Sequence, residues 1–332
     1  MQRLRLGKLP IGVLTSAVLS MGGAPSDLLA TGPKAGLDFG AVKLERGYLL
    51  VSADPVTGVS EEIGRYAVHV SANDVATSGT RPSFIESVIL LPERTTVKEV
   101  SRISREIDAV CRELGISVVG GHTEVTPGLA RPIVVVTAFG MAERYVSSAG
   151  ARAGNTIMMT KTAGIEGTAA LARSVGALRK KLSSRALLAA RAMLSQVSVV
   201  DEAERAYKTG GVSAMHDCTE GGVLGAAFEM SHASGVGFEL DEGAVPVAPE
   251  TLDVCRAMSL DPLKLIGSGS LLIAVEGGRE DEVVAALTQA SRVTAVGRFT
   301  KSGRVLVRKD GRREKVNEAP EDELWRAVPR FL

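Results

Sequence analysis

Five acidic residues stand beside glycine, proline or other small residues, most of them just past an apolar run. They are Asp38 in GLDFGAV, Asp54 in SADPVTG, Asp74 in SANDVATSG, Glu124 in GGHTE and Asp217 in SAMHDC. A carboxylate just past an apolar strand lies at the sheet edge, where α/β proteins place their ligands. Carboxylates gathered at one point repel each other unless cations neutralise them. Hard oxygen donors suit magnesium, which usually arrives with phosphates. Taken singly, each acid also reads as a cap or turn residue. For Asp74, which with Asn73 follows AVHVSA and precedes VATSG, that is the plainer reading.

A second group sits in MHDCTEGGVL, residues 215–224. Its histidine and cysteine permit two chemistries. If SAMHDC is extended, His216 and Cys218 point to one side, and the histidine could activate the thiol. Alternatively Thr219, Glu220, Gly221 and Gly222 open a helix whose first amides, uncovered by the two glycines, grip a phosphate at the positive end of the helix dipole. The phosphate grip is the favoured reading. AGIEGTAAL (163–171) repeats the strand, glycine, helix arrangement, and VVGGHTE offers another uncovered turn at Gly120 and Gly121.

Other chemistries are excluded. The chain contains no GxxxxGK[ST] loop and no GxGxxG between a strand and a helix, so neither a P-loop nor a dinucleotide fingerprint is present. Its four histidines show no HExxH spacing, and Cys111, Cys218 and Cys255 form no CxxC pair. That argues against structural zinc and for a reducing, cytoplasmic compartment. Lysine and arginine total 39 against 38 aspartates and glutamates, so no overall field draws the protein to nucleic acid or a membrane surface. The N-terminal MQRLRLGKLPIGVLTSAVLSMGGA has the outline of a signal peptide. Lys8, Pro10 and Gly12 interrupt it, and Ile11, Leu14, Val18 and Met21 read instead as an amphipathic helix packed on a core.

Elements that could position these residues alternate along the chain. Strands are expected at YLLVSA (48–53), FIESVILL (84–91), IVVVTAF (133–139), TIMMTKT, GVSAMHD and SLLIAV. AVHVSA and ISVV likewise read as strands. Residues 96–115 are the clearest helix: Thr96 and Glu99 form a capping box, Val100, Ile103, Ile107, Val110 and Leu114 share a face, and Gly115 stops it. A hairpin is expected on Asp310-Gly311, and residues 21–42 read as a glycine-rich, mobile loop. The periodicity lapses near SSAGARAGNT, so the 332 residues divide into domains 1–148 and 149–332, each mixing helix and strand. The fold class is α/β (α+β).

Together, SADPVTG, VHVSANDVATSGTRP, GGHTEVTPGLARPIVV, AGIEGTAALA and MHDCTEGGVLGAAFEM resemble, in this order, the AIR synthase superfamily, and within it the HypE-like branch. The resemblance runs from about Lys8 to beyond Gly269. It implies a two-domain architecture in which the N-terminal sheet pairs with that of a second copy into a barrel-like homodimer core, beside a C-terminal α/β domain. It also implies ATP and Mg²⁺ as cofactors, bound between the domains. Carried over by motif, Asp38, Asp54, Asp74 and Glu124 hold magnesium. Asn73, Gly120, Gly121, Thr123 and the Thr219–Gly222 turn hold the nucleotide or line the acceptor side, and Asp217 and His122 serve catalysis. His122 stands where several relatives carry an acid, with Glu124 as its substitute.

The implied reaction is phosphorylation of a carbonyl, amide or phosphate oxygen on a small molecule or a partner protein's side chain. The alternatives are a nucleotide-binding assembly factor of hydrogenase maturation without turnover, and a phosphotransferase like thiamine-phosphate kinase. HypE proper ends in Pro-Arg-Ile-Cys, whereas AVPRFL closes this sequence, so HypE-type dehydration is not expected. Where the family commonly reads HDPT, Cys218 replaces the proline.

Overall fold

The computed structural model describes residue 4 and residues 6–327; the tail residues Pro329 to Leu332 lie outside them. Its strands form two sheets, one from each half of the chain. The first contains β1 (Leu29–Thr31), β2 (Gly40–Lys43), β3 (Tyr48–Val56), β4 (Pro82–Leu91), β5 (Ser117–Val125) and β6 (Ile133–Ala142), in the order β1-β2-β3-β6-β4-β5. The second contains β7 (Thr156–Thr160), β8 (Val212–Asp217), β9 (Gly237–Asp241), β10 (Leu271–Val275), β11 (Val293–Thr300), β12 (Arg304–Val307) and β13 (Arg313–Lys315), in the order β13-β12-β9-β11-β7-β10-β8. Pairing is antiparallel except for β4 with β5 and β9 with β12. The β12–β13 hairpin turns at Asp310-Gly311 as expected.

Helices cover these sheets: α1 (Ile11–Leu14), α2 (Ile63–Ala76), α3 (Val97–Leu114), α4 (Ile165–Ser174), α5 (Leu178–Lys181), α6 (Ser184–Ala192), α7 (Val200–Lys208), α8 (Gly222–Ser234), α9 (Pro249–Met258), α10 (Glu280–Leu287) and α11 (Glu323–Ala327). Among the described residues no helix is long and apolar enough to cross a membrane. In α3 the capping box forms as read from sequence. Thr96 Oγ1 accepts from the Glu99 amide at 3.3 Å, Glu99 Oε2 accepts from the Thr96 amide at 2.7 Å, and Gly115 ends the helix at φ 73°. Its buried residues include Ile103, Ile107, Val110 and Cys111, so Cys111 is a small core residue.

The structure corrects three expectations. AVHVSA is not a strand: it lies inside α2, of which 12 residues are buried. A helix buried on nearly every side needs no polar face, so its β-branched residues imitate a core strand. Residues 21–42 are not all loop, because β1 and β2 lie within them. The helix at Ile11 is short and packs poorly, with Val18 and Met21 exposed.

The two halves share one core. Ile63, Tyr66 and Ile103 from the first cluster with Ile165, Val199, Met215 and Leu271 from the second. Asn73 pins this seam. Its amide nitrogen donates to the Val197 carbonyl at 2.8 Å, and its oxygen accepts from the Val199 amide at 2.9 Å. Fully buried, Asn73 spends one N–H and its oxygen on joining the halves.

Candidate active site

Four of the five acids meet at this seam. Asp54 comes from the end of β3, Asp74 from the last turn of α2, Asp217 from the end of β8, and Asp38 from the segment before β2. Ser52 bridges the first two, its hydroxyl 2.7 Å from Asp74 Oδ2 and 3.4 Å from Asp54 Oδ2. Burial pushes the Asp74 carboxyl well up from its ordinary value, and the charges of Asp54 and Asp217 add to the shift. Asp217 is pushed up to about 8, first by burial and next by Asp38. It is fully buried, and neither carboxylate oxygen has a hydrogen-bond partner among the described residues.

Two cationic side chains, His216 and Lys8, bear on them. His216 Nε2 lies 3.1 Å from Asp38 Oδ1 and 3.1 Å from Glu229 Oε2, while Nδ1–H donates to the Asp217 carbonyl at 2.7 Å. Burial alone would lower its pKa, but Asp38 and Glu229 outweigh that and raise it to about 9. Asp38 in turn accepts from Ser148 Oγ at 2.8 Å. Glu229, in the middle of α8, also pairs with Lys8 Nζ at 3.2 Å. Burial opposes its ionisation, but Lys8 and His216 hold it down to about 2. Sequence reading missed Glu229; its signal was a lone acid inside the apolar run GGVLGAAFEM.

Asp38, His216 and Asp217 each offer an atom within 4.8 Å of the others. A protonated imidazole cannot ligate, so this histidine is a counter-charge and the oxygens are the ligand set. The unpartnered oxygens of Asp217, with Asp38, Asp54 and Asp74 around them, fit a hard divalent cation.

Other candidates lie elsewhere or do other work. Glu124, His122, Thr123, Gly120 and Gly121 are all on β5, every residue of which is exposed. Within one chain this strand is three strand spacings from β3, about 14 Å, so Glu124 and His122 do not join the carboxylates. They pair with each other at 3.1 Å, and that hydrogen bond holds the Glu124 carboxyl below its ordinary value. GGHTE is not an uncovered turn but continuous strand. Gly121 has φ 152°, and a Cβ there would meet the Ser87 carbonyl oxygen at 2.0 Å, so close approach to β4 requires the glycine.

The TEGG turn is not an open phosphate grip. The Gly221 amide donates to Asp322 Oδ2 at 2.6 Å and the Gly222 amide to the Thr219 carbonyl at 2.9 Å. Gly221 and Gly222 have φ of 81° and 62°, a left-handed pair that explains the glycines without a ligand. Glu220 accepts from the Lys8 amide at 2.7 Å and from Trp325 Nε1 at 3.1 Å. Thr219 Oγ1 accepts from Lys8 Nζ at 3.4 Å. Cys218 is fully buried and its thiol is pushed up by burial, then by Asp217 and Asp38. With the His216 ring committed to other partners, a cysteine nucleophile has no support.

The described geometry has counterparts. Residues 36–142 match the model for the N-terminal domain of AIR synthase related proteins, and residues 152–310 match that for the C-terminal domain. The chain belongs to the AIR synthase related family. It is 30% identical over 239 residues to the carbamoyl dehydratase HypE of Escherichia coli, covering 70% of this chain and 68% of that one. Two solved structures share the fold. One is the hydrogenase maturation protein HypE in complex with ATP, with TM-score 0.70 and 21% identity over 95% of this chain and 96% of the other. The second is AaThiL complexed with AMPPCP and TMP, with TM-score 0.74 and 22% identity over 96% of this chain and 99% of the other. These two structures and this chain share one mixed α/β fold with two sheets.

Proposed function

We propose that this protein is an enzyme that binds Mg-ATP at the seam carboxylates and phosphorylates an oxygen of an acceptor, either a small molecule or a side chain of a partner protein. The observation that carries this reading is Asp217, whose two buried oxygens lack protein partners amid three further aspartates. Asp38, Asp54, Asp74 and Asp217 would hold magnesium, which when bound neutralises phosphate charge. The protein's own part is positioning. Ser52 fixes the Asp54–Asp74 pair, His216 balances Asp38 and Glu229, and Asn73 keeps the halves in register. A site of carboxylates without a strong nucleophile suits phosphoryl transfer, where orientation and charge neutralisation do most of the work. The ATP and AMPPCP complexes of the two structural relatives support the nucleotide.

A homodimer belongs to this reading. β5 is a nine-residue unpaired edge with Val118, Val119 and Val125 exposed, and a strand that long and apolar is a liability unless covered. A second copy would cover it and bring Glu124 and His122 against another subunit.

The test is calorimetric titration of the full chain and of Asp217→Asn with Mg-ATP, with ADP release followed in parallel. Binding in the wild type that the variant loses supports the reading; a wild type that binds no Mg-ATP sinks it. Binding without ADP release under every condition selects the second reading, an assembly factor that holds nucleotide. The Asp322 carboxylate already lodged on the Gly221 amide favours that one.

A further inference from the structure

A concentrated positive charge lies in the second half of the chain, around α5 and α6. From Gly167 to Val200 the sequence carries six cations and no acid, while the whole chain totals 39 lysines and arginines against 38 aspartates and glutamates. Outside this segment acids therefore outnumber cations. Three of the six are tied to helix carbonyls. Arg173 donates to the Ala169 carbonyl and Arg191 to the Ala172 carbonyl, each at 3.0 Å, and Lys181 donates to the Ala257 carbonyl. Ala172 and Ala257 lie in the last turns of α4 and α9, where a cation offsets the negative end of the helix dipole. The other three, Arg179, Lys180 and Arg185, are exposed and make no hydrogen bond or ion pair among the described residues. Leu188, one turn along α6 from Arg185, is 70% exposed. Leu178 of α5 and Leu187 of α6 bury in one cluster with Val254 and Met258 of α9, so the outward residues of both helices belong to one surface.

Like charges gathered on one surface repel one another, and an acidic partner relieves that repulsion. We propose that the outer face of α5 and α6 is a docking surface for an acidic segment of a partner protein, with carboxylates on Arg179, Lys180 and Arg185 and an apolar side chain on Leu188. Carboxylates pair with guanidinium groups in a bidentate fork, and one apolar anchor within a charged rim is the usual build of a protein contact. Other polyanions fit less well. A nucleic acid or a membrane would extend beyond the patch onto surface where acids predominate. Residues 167–200 contain no aromatic side chain on which bases could stack. Membrane insertion needs a broad apolar face, and α6 spends Leu187 and Ala190 on the core, leaving Leu188 alone outside. The ten residues of α4 run from the seam to this surface, ~15 Å, so the partner docks beside the carboxylate site without entering it. The surface does not depend on the function proposed above.

The test measures fluorescence anisotropy of a labelled peptide repeating Glu-Glu-Leu on the full chain. A Gln-Gln-Leu peptide, single-stranded DNA and phosphatidylserine–phosphatidylcholine vesicles serve as comparisons. Wild type should bind the acidic peptide, more weakly as salt rises, and should bind the other three at least about tenfold less tightly. Arg179→Glu with Arg185→Glu should weaken the acidic peptide at least about tenfold, because attraction becomes like-charge repulsion. Leu188→Ser should weaken it at least about threefold through lost apolar contact. All three side chains are exposed, so the variants should melt as wild type does. If the double reversal lowers the melting temperature, Arg179→Gln with Arg185→Gln carries the comparison. Arg94→Glu with Lys98→Glu makes the same change of net charge at exposed positions near the start of α3, and should leave the affinity unchanged. No binding of the acidic peptide, equal binding of the glutamine peptide, or DNA or vesicles bound as tightly would each overturn the surface. Unchanged affinity in the α5–α6 variants, or an equal loss in the α3 variant, would overturn it too.

Discussion

The carboxylate of Asp322 accepts the amide of Gly221 at 2.6 Å, and through its other oxygen the amide of Leu324 at 2.7 Å. One residue near the end of the described chain thereby satisfies the first turn of α8 and seats α11 beside it. Trp325 of that helix donates to Glu220, and its ring lies within 3.8 Å of where a Cβ of Gly58 in the other half would stand. Asp322 is pushed up to about 7 by burial, against the pull of the two amides. An acid whose folded pKa is raised holds its proton more tightly in the native state, so stability falls as pH rises from about 4 to about 7.

Asp322→Asn should therefore flatten the pH dependence of thermal unfolding across that window. Asp322→Ala should free the Gly221 amide and loosen α11. Trp325 is the only tryptophan in the sequence, so its fluorescence reports the change directly. The emission of Asp322→Ala should move to the red as the indole gains water. An unchanged spectrum would show that the Glu220 hydrogen bond alone seats the helix.

Asp217 sets stability against function. Its folded value near 8 lies above the ordinary 3.8, so in metal-free protein stability declines as pH rises between those values. Asp217→Asn should raise the melting temperature in EDTA at pH 8 and remove that decline. In Mg-ATP the same variant should lose turnover by at least about a hundredfold, the scale of losing one preorganised electrostatic group. A variant that melts lower in EDTA would mean that the Asp217 oxygens have protein partners in solution.

Much of this site was legible in the sequence because acids flanked by small residues sit where apolar runs end. Asp38, Asp54, Asp74 and Asp217 do converge. The reason given for Asp74 was wrong, since an all-round buried helix and a core strand share one composition. The anion grip misled for a related reason. Two glycines before a helix can serve a left-handed backbone as well as a ligand, and the partner of Gly221 lies 101 residues away, where no local pattern could announce it.

His216 pairs with two carboxylates and is raised to about 9. A histidine raised above its ordinary 6.5 contributes stability that is complete below pH 6.5 and lost as pH climbs through 9. His216→Ala leaves Asp38 and Glu229 facing each other in a buried site, and removing one partner of such a pair costs about 3–5 kcal/mol. Chemical denaturation in EDTA should show the full loss at pH 6 and a much smaller one at pH 10. Equal losses at both would assign His216 a packing role.

The exposed edge of β5 permits the last prediction. Val118, Val119 and Val125 are 53%, 60% and 57% exposed on a strand whose outer backbone groups have no sheet neighbour among the described residues. Charged side chains on an edge oppose strand-to-strand pairing, because pairing would bury them without partners. Wild type should sediment as a dimer, and Val119→Lys with Val125→Lys as a monomer. Both substitutions lie outside α2, α4 and β8, so the seam should survive and the monomer should melt at a similar temperature in EDTA. Mg-ATP affinity separates two arrangements. If the monomer binds as tightly as the dimer, the four aspartates of one chain suffice. If affinity falls tenfold or more, a second copy completes the site, and Glu124→Gln in the intact dimer should reproduce part of that loss.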